Sequence, residues 1–152
     1  MKPLLIAPKR LVWRVAGILA TALLCGTARA DFYVVVNANN PQSALTQKEA
    51  LALFMGRTRA FGDGGAALTF DLPRDNATRA GFYHALTGMS QAQVNSYWSR
   101  LMFAGQTMPP QALASEAAMA DILKRYPNAI GYLSEEPTDK SLRTVLVLKE
   151  VK

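Results

Sequence analysis

Cysteine and histidine occur once each in 152 residues, and that scarcity removes several kinds of chemistry at the outset. His84 alone cannot build a histidine-based metal centre. It falls inside a predicted helix beside Tyr83, where a helix-surface or packed role suffices. No serine sits in a nucleophile-elbow setting, so covalent catalysis has no candidate residue. Glycine occurs ten times but never in the spacing of a Walker or dinucleotide loop. Asp63, in Gly62-Asp63-Gly64-Gly65, reads as turn chemistry rather than as a calcium ligand. Asp71 and Asp75 are near one another, yet Asp75 is accounted for as a helix cap. No catalytic residue, metal site or cofactor is therefore expected.

Long apolar runs are also scarce, and the one that exists is short. Val15 to Cys25 is apolar or small throughout, preceded by Lys2, Lys9, Arg10 and Arg14 and followed by Ala28-Arg29-Ala30. That is the anatomy of a cleaved signal peptide over residues 1–30. The stretch is about half the length a bilayer crossing needs. Bulky Leu24 before Cys25 argues against lipidation of that cysteine. Cleavage removes five of the 17 basic residues and none of the 11 acidic ones, so the formal net charge falls from +6 to +1. The basic character belongs to the targeting segment and gives no argument for nucleic acid. A mature chain free of cysteine suits a bacterial periplasm better than a disulfide-rich secreted setting. The expected product is one domain over residues 31–152, with no membrane contact after cleavage. In such a product the sequon Asn76-Ala77-Thr78 is coincidental.

Phe32 to Asn37 is a β-branched and aromatic run, as in a strand covered on both faces. A polar loop with Pro41 follows. Thr46-Gln47-Lys48-Glu49 is a capping box opening a helix with Ala50, Leu51, Phe54 and Met55 on one face and a stop at Gly56. Arg57 to Gly65, around Phe61, reads as a surface loop. Leu68, Phe70 and Leu72 alternate with Thr69 and Asp71, predicting a half-covered strand with the apolar set inward. Pro73 ends it, and Asp75 or Asn76 caps a helix running to about Leu86, stopped by Gly88. Ser90-Gln91-Ala92-Gln93 is a second capping box, leading into the stripe Val94, Tyr97, Trp98, Leu101 and Met102. Met108-Pro109-Pro110 forces an extended connection. Ser115 caps a fourth helix carrying Met119, Ile122, Leu123 and Tyr126. Ala129 to Leu133 is a short strand whose Gly131 implies close backbone approach. Leu142 to Val151 closes the chain as a half-exposed strand. The expected architecture is an α/β single-lobe, three-layer-like sandwich of about four strands and four helices.

Open sheets of this class bind ligands beyond the carboxyl ends of strands, where Arg74 to Arg79 lies. A helix start offers free N–H groups and the positive end of a dipole. Two readings stand here: a capped helix with solvated arginines, or an anion site.

Leu45-Thr46 with Glu49, Phe54-Met55-Gly56-Arg57, Phe61-Gly62-Asp63-Gly64, Arg74, Arg79 with Phe82, Tyr97-Trp98, Phe103-Ala104-Gly105, Pro109-Pro110 and Ala129-Ile130-Gly131-Tyr132 occur in an order and spacing that resembles a known family. It is that of small periplasmic proteins related to the phosphate-binding component of bacterial phosphate ABC transporters, within the type II periplasmic binding protein superfamily. The resemblance implies a non-enzymatic, type II periplasmic-binding-protein-like lobe. It also implies an oxyanion site in which the family's arginine falls on Arg74 and its Ser-Gly-Thr on Asn76, Ala77 and Thr78, with Arg79 adding charge. Ala77 stands where the family has glycine. The family's other half-site is a Gly-Ser-Thr-rich loop after the first strand, where this chain has Asn37-Ala38-Asn39-Asn40-Pro41. The implied ligand is phosphate or a related oxyanion, weakly held, in connection with phosphate transport or sensing. The alternative is a ligand-free module docking another envelope or transporter protein through Arg57, Arg59, Phe61 and Pro109-Pro110.

Overall fold

The computed structural model describes residues 30–150, so all but the last residue of the expected signal segment lies outside the described residues. The elements are β1 (Asp31–Asn37), α1 (Gln47–Phe54), β2 (Leu68–Asp71), α2 (Ala77–Thr87), α3 (Gln91–Phe103), β3 (Gln111–Ala112), α4 (Glu116–Arg125), β4 (Ala129–Leu133) and β5 (Leu142–Lys149). Helix starts fall where local chemistry sets them. Thr46 and Ser90 each close a full capping box, with Glu49 and Gln93 respectively, and Ser115 accepts the N–H of Ala118. Asn76, rather than Asp75, caps α2, which ends on Gly88 at φ 75°.

The five strands form one sheet in the order β3-β2-β4-β1-β5. β2 runs parallel to β3 and β4, whereas β1 is antiparallel to both β4 and β5. β3 is the strand that the sequence presents only as an extended connection after Pro109-Pro110. Two residues paired to β2 carry no periodicity to read.

Helices cover both faces. On β4, Gly131 lies against Met119 of α4, and the next residue, Tyr132, stacks on Phe82 of α2 with ring centroids 3.8 Å apart and planes 3° from parallel. Consecutive strand residues point to opposite faces, so α4 and α2 enclose the sheet between them. Phe54 of α1 joins the same aromatic group, edge-on to Phe82 at 4.8 Å and to Tyr132 at 5.9 Å. Edge-to-face contacts of this kind add about 0.5–1.5 kcal/mol each beyond area burial. The expected burial of β1 and the close approach at Gly131 hold, and β4 is buried along its whole length as well.

Three expectations are corrected. In β2 both sides are covered rather than one: Leu72 is buried and Phe70 packs on the core as expected, but Asp71, on the other side, is only 3% exposed, while Leu68 at the strand's start is 45% exposed. An inward carboxylate is tolerated because charge and hydroxyl partners await it inside. Phe61 is buried, tucked under the turn closed by the Ala60–Ala66 bridge, because its ring has core to pack on although its neighbours are polar. The α3 and α4 stripes overrun the sheet, leaving Met102 and Tyr126 exposed.

Gly81 on α2 faces β1 so closely that an added Cβ would stand 2.4 Å from Cζ of Phe32. Alanine in a helix interior gains up to about 1 kcal/mol over glycine. Overpacking a buried ring costs about 1–3 kcal/mol. Because Phe32 is 4% exposed and has no free space to swing into, the second effect wins. Gly81→Ala is expected to lower the urea midpoint by a net ~1 kcal/mol or more at unchanged m-value, and a raised midpoint would refute this packing account.

Candidate functional site

The parallel strands β2, β3 and β4 place their carboxyl ends along one edge of the sheet, and α2 and α4 both begin there. This edge carries Arg74 to Arg79, the first turn of α4 and Ser134, just past β4. The Asn37-to-Pro41 loop lies at the other edge, because β1 runs against β4. Its amides are spent on the chain itself. Asn37 Nδ2 donates to the carbonyls of Leu123 and Lys124 at 2.9 Å, and Asn40 Nδ2 to that of Pro127 at 2.6 Å. The two segments that the family resemblance would bring together are therefore separated by the length of the strands.

At the start of α2, Asn76 Oδ1 accepts the N–H of Arg79 at 3.1 Å, which leaves the Asn76 amide nitrogen free to donate. Of the first-turn N–H groups, those of Ala77 and Thr78 have no protein acceptor among the described residues. Ala77 and Arg74 are exposed, and the Arg74 carbonyl accepts from Gln91 Nε2. Thr78 Oγ1 donates to Glu116 Oε1 at 2.8 Å.

Arg79 turns the other way. It is 3% exposed, with Nε on Asp71 Oδ2 at 2.9 Å, Nη1 on Asn95 Oδ1 at 2.9 Å, and its guanidinium 5.0 Å from the centre of the Tyr83 ring. Asp71 in turn accepts four donors. Tyr132 Oη at 2.6 Å and the Leu72 N–H at 2.8 Å reach Oδ1, while Arg79 Nε and Tyr83 Oη at 3.2 Å reach Oδ2. Burial, and then the Asp71 charge, push the phenol pKa values of Tyr83 and Tyr132 well above the ordinary tyrosine range. Both remain neutral hydrogen-bond donors. Of the two arginines at this helix start, only Arg74 presents its charge to solvent; that of Arg79 is compensated inside. Asp71, Tyr83, Asn95, Tyr132, Glu116 and Ser134 were not singled out from sequence. The one available signal was an acid eight residues before an arginine across a strand-to-helix turn.

The surfaces considered for docking divide as well. Phe61 is inside the core. Arg59, whose Nη2 donates to Thr107 Oγ1 at 2.9 Å, lines with Leu53, Trp98 and Pro109-Pro110 a cleft of about 260 Å³. Among the described residues no helix is long and apolar enough to cross a membrane.

No family model matches the chain, and no curated protein matches it. Solved structures do. A candidate phosphate ABC transporter substrate-binding protein from Clostridium perfringens, solved with bound phosphate, superposes with a TM-score of 0.60 at 17% identity, over 76% of this chain and 45% of that one. An ABC-type phosphate transport receptor from Vibrio cholerae gives 0.58 at 18% identity, over 76% and 46%. A candidate phosphate-binding protein from Planctomyces limnophilus gives 0.50 at 12% identity, over 80% and 54%. The chain shares their fold and spans about half the length of each. The single-lobe α/β expectation holds, with five strands instead of four.

Two consequences of the Asp71 group are measurable. Asp71→Asn leaves a buried guanidinium without its counter-charge and is expected to cost on the order of 3 kcal/mol in denaturant unfolding. The double variant Asp71→Asn/Arg79→Met should lose clearly less than the sum of the two single changes; additivity would show the pair to be uncoupled. Separately, an unfolded chain releases tyrosine protons near pH 10, while folded Tyr83 and Tyr132 keep theirs. Their contribution is therefore whole below about pH 10 and is lost as pH rises beyond it. The urea midpoint should drop between pH 10 and 11.5, and less steeply in Tyr83→Phe; equal slopes would contradict the assignment.

Proposed function

We propose that the chain is a non-enzymatic, periplasmic binding-protein homologue that contacts phosphate or a related oxyanion at the start of α2, in connection with phosphate transport or sensing. The observation that carries this reading is the pair of unclaimed N–H groups, Ala77 and Thr78, beside the exposed Arg74. They sit beyond the carboxyl end of β2, in a fold shared with phosphate-binding proteins. Arg74 supplies charge, and the Asn76 amide and the two N–H groups supply donors to an oxyanion, while the Thr78 hydroxyl becomes a donor only when it leaves Glu116. Arg79 belongs to the site through its position: its ion pair with Asp71 sets where the first turn of α2 stands. The described residues offer one wall to the ligand, which keeps the oxyanion partly hydrated there and the affinity of that wall low. Delivery to the periplasm rests on the signal features of residues 1–30.

Thermal unfolding in phosphate, sulfate or chloride at matched ionic strength tests the reading. Binding to the native state alone adds about 2.7 kcal/mol at a hundred times the dissociation constant, a rise of several degrees in a domain this size. An oxyanion-dependent rise that is lost in Arg74→Ala is the expected result. Arg74 is exposed and its side chain takes part in no hydrogen bond among the described residues, so this variant should unfold like the parent in chloride. The same temperature in all three salts would overturn the proposal.

A further inference from the structure

The edge proposed to receive an oxyanion already holds an anion of the chain's own. Glu116, the first residue of α4, places its carboxylate where three donors from two other segments converge. Thr78 Oγ1 of α2 reaches Oε1 at 2.8 Å. The N–H of Ser134, at the end of β4, reaches Oε2 at 2.7 Å, and Ser134 Oγ lies 3.0 Å from both oxygens. A hydroxyl, a second hydroxyl and a backbone N–H around two oxygens make a donor set suited to a tetrahedral oxyanion as well as to a carboxylate. The positive ends of α2 and α4 add to the attraction for either.

We propose that Glu116 is the internal occupant of this site, so that a free oxyanion gains Thr78 and Ser134 only by displacing it. This inference rests on the oxyanion reading of the α2 start and adds Ser134 to the donors. Competition follows from charge and geometry together. Thr78 has one hydroxyl proton, and it is already given to Glu116. A second anion beside an unmoved carboxylate would meet like-charge repulsion at close range. Glu116 is a half-buried side chain on the first turn of its helix, and Ser115 caps that helix independently through Ala118. The carboxylate can therefore swing out without unwinding α4. The site is self-closed at low oxyanion concentration and opens as the concentration rises.

The test is titration of the full-length protein with inorganic phosphate, followed by unfolding temperature, for the parent, Glu116→Gln and Glu135→Gln. Each variant is referred to its own value in chloride, so a change in basal stability does not enter. Glu116→Gln keeps the side-chain shape and removes the charge. It should shift the phosphate midpoint at least about tenfold lower, while Glu135→Gln, whose side chain makes no hydrogen bond to Thr78 or Ser134 among the described residues, should stay within about twofold of the parent. A phosphate response only in Glu116→Gln also supports the inference. If the parent responds to phosphate and Glu116→Gln responds at the same concentration, self-closure is wrong and the oxyanion reading stands. If both variants improve equally, the effect is general charge and self-closure is again wrong. If no protein responds, the oxyanion reading itself fails and takes this inference with it.

Discussion

The contact between Asp71 and Arg79 sets the arrangement around it. Both side chains are almost wholly withdrawn from water, and each charge removed from solvent costs several kcal/mol even after relaxation. That cost is offset because the pair is only the centre of a larger group. Asp71 receives Tyr132 from β4, Tyr83 and Arg79 from α2, and its neighbour's N–H, while Arg79 extends to Asn95 on α3. Two strands and two helices are thereby joined at one carboxylate. The pair makes burial of Asp71 possible and ties the first turn of α2 to the end of β2.

The orientation of α2 decides what its first turn shows to solvent. With Arg79 drawn inward and its N–H given to Asn76, the groups left without a protein partner among the described residues are the N–H groups of Ala77 and Thr78, beside the exposed Arg74. The parallel pairing of β2, β3 and β4 then brings the start of α4 and the residue after β4 to the same edge. The antiparallel course of β1 sends the Asn37-to-Pro41 loop to the other edge, where its amides fasten the end of α4. Strand direction thus keeps these two segments apart. Glu116 standing against Thr78 and Ser134 is the chain's own answer to a concentration of donors that would otherwise lack a partner.

Legibility in the sequence followed the range of the interaction. Caps at Thr46, Asn76, Ser90 and Ser115 involve residues three positions apart, and each helix begins where those residues place it. The fully buried strands β1 and β4 announce themselves by unbroken apolar runs, and Gly131 marked its own crowding. The strand β2 misled in part, because alternation says which residues share a face but not whether the opposite face is covered too. Phe70 and Leu72 do pack inward, yet Asp71 on the other side is also covered, by Tyr132, 61 residues away. Phe61 was lost among polar neighbours in the same way.

The amino-acid sequence by itself determined the helix starts, the two-sided burial of β1 and the stretch Arg74 to Arg79 at a strand-to-helix turn, because each depends on neighbours along the chain. Only the tertiary structure decided that Arg79 points inward, that the Asn37 loop stands at the far edge, and that Glu116 meets Thr78 and Ser134. Those outcomes rest on strand direction and on pairings between residues far apart in sequence, for which local propensity carries no information.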